Sequence, residues 1–121
     1  MALANRTIEL TKIAAVALSD KLGSEIVAID LSEQLVLNQV FLLVTGNNEP
    51  QLQALSDEVQ KKLAEVGEKP IRKEGSGGWV LLDYSDLVVH IQSAELRNYY
   101  MLDRLWNDCP TIDLEIAKVN R

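Results

Sequence analysis

The chain has 121 residues, of which 47% are hydrophobic and 25% charged, with a formal net charge of −6 and one cysteine. This length predicts one domain with its own core, and the acidic balance argues against a dominant phosphate-binding surface, which needs clustered Lys and Arg. One cysteine excludes an intrachain disulfide, which fits a reducing compartment.

The first third of the chain predicts a helix followed by strands. Apolar residues are dense over residues 5–22, which favours a largely buried helix with Gly23 as its left-handed cap. Residues 25–31 are β-branched and almost continuously apolar, and residues 35–37 are strand-like. Residues 40–45 are apolar throughout, so we expect a central strand covered on both faces.

An amphipathic helix follows the central strand. Asn48 is a suitable N-cap, Pro50 suits the first helical position, and Gly67 ends the helix after Val66. Apolar residues at spacings of three and four form one stripe, which consists of Leu52, Leu55, Val59, Leu63 and Val66. We expect this stripe to pack on the sheet.

Two short features come next. Residues 70–73 predict an edge strand, where Pro70 does no harm. Residues 75–78, Gly-Ser-Gly-Gly, indicate a flexible connection. A phosphate-binding loop is disfavoured here because the run opens a strand instead of a helix and no Lys-Ser/Thr pair follows.

The last part predicts a hairpin and a helix. Residues 79–83 and 86–91 form two strands about a turn at Tyr84-Ser85. A final helix begins near Ser93, a good N-cap, and ends before Pro110. The tail after it is compatible with a strand, a docked coil or disorder.

The predicted elements together define the fold class. A strand-helix-strand unit in the middle implies a right-handed crossover, and the flanking hairpins add antiparallel strands. We therefore predict a single α/β domain over residues 1–110, with a mixed β-sheet flanked by helices, and a C-terminal tail over residues 111–121. The first residues lack the layout of a signal peptide and no apolar run approaches the ~20 residues of a membrane helix, so we expect a cytoplasmic protein without membrane contact.

Enzyme and metal chemistry find little support. No Gly-x-Ser-x-Gly motif occurs, and one histidine and one cysteine cannot supply a structural zinc site. Cys109 and His90 fit structural side chains better than catalytic ones. Asp83 and Asp86 could hold Mg²⁺, but aspartates beside a tight turn more often accept local backbone N–H groups. We expect no catalytic residue, no metal and no cofactor.

Aromatic residues distinguish the segment over 79–106, which holds both tryptophans, all three tyrosines and the histidine. Strand alternation sends Trp79, Leu81 and Asp83 to one face and Val80, Leu82 and Tyr84 to the other. Tryptophan and tyrosine beside carboxylates are typical of protein interfaces. The tryptophans could equally cap the core, so the residues alone favour a binding module over an enzyme and go no further.

The same segment resembles a known family. The pattern Trp79-x-x-x-Asp83-x-x-Asp86-x-x-Val89-His90, then Arg97-x-x-Tyr100-x-Leu102-x-Arg104-Leu105-Trp106, is similar to that of the ribosomal silencing factor (Iojap-like) family. Upstream, Ile29-Asp30, the run from Phe41 to Gly46 and Glu74-Gly75 agree with it. The resemblance covers residues from about 8 to 110.

This resemblance implies a fold similar to nucleotidyltransferases without their catalytic site. It implies binding to the large ribosomal subunit through ribosomal protein L-fourteen, which blocks joining of the small subunit and represses translation when nutrients are scarce. The acidic chain suits a basic ribosomal-protein surface, and we expect no specific nucleic-acid contact. The family's partner-binding surface falls on Trp79, Asp83, Tyr84 and Asp86, with Leu105 and Trp106 as neighbours.

Two alternatives and two departures accompany the resemblance. One alternative is a metal-dependent nucleotidyl or phosphoryl transferase that uses Asp83 and Asp86. The other is a homodimer that associates through the same aromatic face. Ser85 stands where the family usually has glycine; if φ is positive there, serine costs about 1 kcal/mol. Asn38-Gln39 replace a usual Thr-Asp, so no role is assigned to that pair.

Overall fold

The computed structural model describes residues 4–33, 39–105 and 108–114, with residues 76, 103 and 105 described by their backbone. Its elements are α1 (Asn5–Asp20), β1 (Ser24–Asp30), β2 (Val40–Gly46), α2 (Glu49–Glu65), β3 (Arg72–Ser76), β4 (Trp79–Asp83), β5 (Leu87–Ser93), α3 (Ala94–Tyr100) and α4 (Leu102–Leu105). The strand-like run over residues 35–37 lies outside the described residues. In the part of the chain that the structure describes, no helix has the length and apolar character to cross a bilayer.

The strands form one mixed sheet in the order β1-β2-β5-β4-β3. β2 and β5 are parallel, and the other neighbouring pairs are antiparallel. The predicted single α/β domain with a mixed sheet and flanking helices is thereby confirmed. β2 lies inside the sheet between β1 and β5, as its continuous apolar sequence predicted.

The main core lies between one face of the sheet and the pair α1 and α2. The α2 stripe is buried as predicted, except for Val66, which follows the end of the helix and is exposed. Ala14, Ala15 and Ala17 are fully buried on α1, and such small side chains allow close packing. The Asn48 side chain caps α2 by accepting the Gln51 N–H at 2.9 Å. α2 begins at Glu49, so Pro50 is its second residue and not its first.

A second, smaller cluster lies on the opposite face of the sheet near β1. It consists of Ile29, Leu31, Leu43 and Cys109, with Val27, Phe41 and Leu102 against it. Beside it, the chain after α4 pairs with β1: Thr111 bridges Ile29, the Asp30 N–H donates to the Pro110 carbonyl at 2.8 Å, and the Ile112 N–H donates to the Ala28 carbonyl at 3.0 Å. This segment covers the backbone edge of β1. The division at residue 110 stays a prediction.

The predicted left-handed cap at Gly23 is wrong. Leu22 takes that conformation, with φ 64°, one residue earlier. Gly23 is required for space instead, because a Cβ there would lie 2.5 Å from Cγ2 of Val44. At the end of α2 the prediction is confirmed, since Gly67 has φ 88°.

The predicted flexible connection over residues 75–78 is also wrong. Ser76 pairs with Trp79 across β3 and β4, and Gly77 and Gly78 have φ 62° and 93°. Positive φ at both central residues defines the tight turn that suits a two-residue hairpin. The predicted edge strand at residues 70–73 begins later, at Arg72, and continues through Gly75 to Ser76.

The single last helix that the sequence predicted is two helices. Ser93 caps α3 as expected, accepting the Leu96 N–H at 3.2 Å. Met101 then adopts a left-handed conformation, with φ 52° and ψ 50°, which ends α3 before α4 begins. The break directs Leu102 toward the small cluster around Ile29 and Leu43.

Candidate functional site

One face of the sheet, here called the outer face, points away from α1 and α2. Strand register brings together on it Phe41, Val88, His90, Trp79, Leu81, Asp83, Arg72 and Glu74. Trp79, Leu81 and Asp83 are half-buried, whereas Arg72 and Glu74 on the edge strand are exposed. The predicted alternation along β4 is confirmed, because Val80 and Leu82 pack in the main core.

Five rings form a continuous group on and beside this face, which we call the aromatic cluster. Its members are Phe41, His90, Trp79, Tyr100 and Tyr99. The Trp79 centroid lies 4.8 Å from that of Tyr100 and 5.9 Å from that of His90. Tyr100 in turn meets Tyr99 edge-on at 5.0 Å. The outer end is open to solvent, with Tyr99 76% exposed and Tyr100 49% exposed.

Sequence reasoning did not assign Tyr99 and Tyr100 to the site. A usable signal was present: Ser93 fixes the start of α3, and Leu96 and Tyr100 are then four residues apart on one helix face. Leu96 lies close to Gly78 in the turn that leads into β4, so Tyr100 is placed above Trp79.

The acidic turn between β4 and β5 is built by Asp83. Its carboxylate accepts the Ser85 N–H at 2.8 Å, and Ser85 has φ 76°. The turn-forming role predicted for Asp83 is therefore confirmed. Asp86 contributes its backbone instead: its carbonyl accepts the N–H groups of Gln39 and Val40, while its side chain is exposed.

Arg72 links two of the acidic groups on the outer face. Its guanidinium lies 3.6 Å from Oδ2 of Asp83 and 3.4 Å from Oε2 of Glu74. Beside this pair, Glu74, Gly75, Trp79 and Leu81 line an open depression of about 310 Å³. Among the residues that the structure describes, no three His, Cys, Asp or Glu side chains are grouped to hold a metal ion.

Tyr84 does not join the other predicted site residues. Its ring is 7% exposed and packs in the main core, on the side of the sheet opposite Trp79. Burial, with the charge of Glu68, raises the pKa of Tyr84 to about 12. Leu105 ends α4, where its backbone alone is described, and Trp106 lies outside the described residues.

The two nucleophilic or basic side chains considered earlier are both buried. Burial lowers the pKa of His90 to about 4, so the imidazole is neutral near pH 7. Burial, followed by the neighbouring Asp108 carboxylate, raises the pKa of the Cys109 thiol. A thiol held protonated is a poor nucleophile, and Cys109 packs in the small cluster near β1.

Comparisons with known proteins agree on one family. A family model described as "ribosomal silencing factor during starvation" matches residues 4–121. The ribosomal silencing factor of Halalkalibacterium halodurans is 38% identical over 109 residues, covering 88% of this chain and 93% of the relative. That of Bacillus subtilis is 37% identical over 110 residues, covering 89% and 93%. The crystal structure of a Chromobacterium violaceum protein matches with a TM-score of 0.80 at 39% identity, covering 84% of this chain and 86% of that one.

Proposed function

Because the chain belongs to the ribosomal silencing factor family, we propose that it binds the large ribosomal subunit through ribosomal protein L-fourteen. Bound there, it sterically blocks joining of the small subunit and represses translation when nutrients are limiting. This is a regulatory activity in the cytoplasm that involves neither a catalytic step nor a cofactor. The names of the relatives support the ribosomal role, and the outer face supplies a surface suited to it.

The observation that carries the proposal is an aromatic cluster that is solvent-exposed at one end and bordered by carboxylates. Tyr99 and Tyr100 extend Trp79 into solvent, and exposed aromatic groups of this kind are enriched in protein interfaces. Asp83 is the last residue of β4, at the opposite end from Trp79, and Asp86 lies in the turn that follows. With a net charge of −6, the chain favours encounter with a basic protein surface.

Each group has a separate role in the proposed complex. Trp79 is the anchor, and truncation of such an anchor costs roughly 2–4 kcal/mol of binding. Asp83 and Asp86 pair with Arg or Lys of the partner and raise the association rate. Tyr99 and Tyr100 enlarge the contact area, and Leu105 and Trp106 remain part of the proposed binding set. Tyr84 has no direct role here, because its ring is in the core.

Co-sedimentation with isolated large subunits across a salt series tests the binding. The wild-type chain should sediment near stoichiometrically and with salt sensitivity, whereas Trp79→Ala and Tyr99→Ala should bind at least tenfold more weakly. Tyr99 is 76% exposed, so its loss separates binding from folding. Val16→Ala, on an exposed position of α1 remote from the outer face, is the matched control.

Two results would contradict this function or its site. Undiminished binding by both aromatic variants, with native circular dichroism, would place the contact elsewhere on the chain. Self-association that persists unchanged when large subunits are added, without co-sedimentation, would instead support the homodimer through the aromatic face.

A further inference from the structure

We propose that His90 is a positioning residue that holds the indole of Trp79 in one orientation, so that a partner meets the indole ring and not its N–H group. The proposal rests on the proposed function only for the identity of that partner. The contact itself is a property of the isolated chain and can be tested without a ribosome.

The geometry places His90 against the one polar atom of the tryptophan. Trp79 and His90 are diagonal neighbours on the outer face, since Trp79 pairs with Gln92 and His90 pairs with Leu81. The Trp79 Nε1–H donates to His90 Nδ1 at 3.3 Å. An indole has a single donor and no acceptor, so this bond occupies its hydrogen-bonding capacity.

Other rings hold both partners of this bond in place. Tyr100 packs against the indole, with centroids 4.8 Å apart and an interplanar angle of 50°. Phe41 packs edge-on against the imidazole, with centroids 4.6 Å apart at 62°. The indole is therefore fixed between α3 and the sheet, and the imidazole is fixed between β2 and β4.

A histidine at this buried position leaves one polar atom unpaired, and its Nδ1 acceptor explains why a histidine is nevertheless suitable here. Because Nδ1 accepts, the neutral ring carries its proton on Nε2. That atom is buried and has no hydrogen-bond partner among the described residues. A phenylalanine could fill the same space without leaving a buried donor unpaired. The property that histidine adds is the acceptor for Trp79.

The burial of His90 also favours a positioning role over direct contact with the partner. The side chain is 5% exposed, so a partner meets Trp79 and the tyrosines before it meets the imidazole. Because burial lowers the pKa of His90 to about 4, the Nδ1 acceptor remains unprotonated across neutral pH. Protonation of His90 therefore does not compete with the hydrogen bond from Trp79 near pH 7.

Two substitutions test the acceptor separately from the ring. His90→Phe keeps a ring but removes the acceptor, whereas His90→Asn loses the ring but keeps an oxygen near the position of Nδ1. In the ¹⁵N-labelled full chain, the Trp79 indole resonance is identified by its absence in Trp79→Phe. We expect solvent exchange of this indole hydrogen to be about tenfold faster in His90→Phe and to return toward the wild-type rate in His90→Asn.

Binding to large subunits supplies the second measurement. His90→Phe should dissociate about tenfold faster than the wild-type chain, and the same substitution in a Trp79→Phe background should have no further effect. An equal loss in both backgrounds would overturn the positioning role, and so would an unchanged indole exchange rate in a folded His90→Phe. If His90→Phe does not fold, His90→Asn decides alone, because fast exchange in that folded variant contradicts the proposal. If the wild-type chain binds no large subunits, the proposed function fails, whereas the exchange experiment still decides the role of His90.

Discussion

Ser85 holds a left-handed backbone, with φ 76°, at the tip of the β4–β5 hairpin. An L side chain is disfavoured in this region, and the Asp83 carboxylate offsets part of the cost by accepting the Ser85 N–H at 2.8 Å. The turn therefore keeps the geometry of a glycine turn although glycine is absent. Asp83 is consequently a structural residue as well as a proposed docking charge.

The Ser85→Gly variant should be more stable than the wild-type chain. Glycine removes the strain of the left-handed conformation, and we expect the free energy of unfolding to rise by about 1 kcal/mol in urea titrations. Ser85→Ala is the matched control, because it keeps the Cβ and should give no such gain. A gain of the same size in Ser85→Ala would show that the hydroxyl, and not the backbone, is unfavourable.

Acid should destabilise the fold through His90. The pKa of His90 is about 4 in the folded chain, below the ordinary value of 6.5, so the unfolded chain binds a proton first as the pH falls. Above pH ~6.5 the ring is neutral in both the folded and the unfolded chain, and His90 does not reduce the free energy of unfolding. As the pH falls from ~6.5 to ~4, the unfolded chain is protonated and the free energy of unfolding decreases. From pH 7 to pH 5 this contributes a loss of roughly 2 kcal/mol.

The contribution of His90 is measured by difference, because carboxylates also titrate in this range. Urea unfolding of the wild-type chain and of His90→Phe at both pH values gives the part of the stability loss that comes from His90. The wild-type chain should lose more stability than the variant. Identical losses would mean that His90 is protonated equally in the folded and unfolded chains.

The turn between β3 and β4 determines that β4 begins at Trp79. Gly77 and Gly78 form the turn, and the Ser93 N–H donates to the Gly78 carbonyl at 2.8 Å, joining this turn to the end of β5. The turn is therefore tied both to the sheet and to the start of α3, which carries Tyr99 and Tyr100. Trp79, Tyr99 and Tyr100 therefore share one support.

Gly78→Ala should weaken this support. Gly78 has φ 93°, and a Cβ would lie 3.1 Å from Oγ of Ser93, so strain and contact both oppose the substitution. We expect a loss of roughly 1–2 kcal/mol in the free energy of unfolding by urea titration. Gly77→Asn is the control, since asparagine tolerates the left-handed conformation at the first position of such a turn and should be nearly neutral. Equal losses in both variants would argue against the specific role of Gly78.

The sequence predicted elements whose signals are local. The sequence predicts Asn48 and Ser93 as N-caps because a capping side chain acts within three residues, and the structure confirms both. The break at Met101 is not predictable in this way, because a methionine carries no turn signal and Leu102 packs against a cluster that is remote in sequence. The glycine run over residues 75–78 carried a turn signal, but strand pairing of Ser76 with Trp79 was needed to distinguish a turn from a linker.

At the scale of the whole molecule, the two faces of the sheet have different roles. α1 and α2 cover one face and supply most of the core, whereas the aromatic cluster and the acidic groups lie on the other. Trp79 and Asp83 could be predicted to share one face of the sheet, because side chains alternate along a strand. The same rule places Tyr84 on the opposite face, which agrees with its burial, and only the family resemblance includes it in the binding set.

Charge on the outer face is partly neutralised by Arg72, which lies between Asp83 and Glu74. Arg72→Gln should therefore strengthen the acidic surface and raise the association rate with large subunits a few-fold at low salt. Lys73→Gln changes the net charge equally from the same strand but projects to the other face, so it is the matched control. Stopped-flow rates that respond equally to both substitutions would indicate a net-charge effect without a specific site.

We propose that the chain prevents joining of the ribosomal subunits through the face that carries Trp79. The most direct measurement is light scattering during reassociation of isolated subunits with increasing amounts of the chain. We predict that the wild-type chain suppresses the scattering increase near one equivalent per large subunit, and that Trp79→Ala and Tyr99→Ala need at least tenfold more protein. A scattering trace that the wild-type chain leaves unchanged would contradict the proposed block of subunit joining.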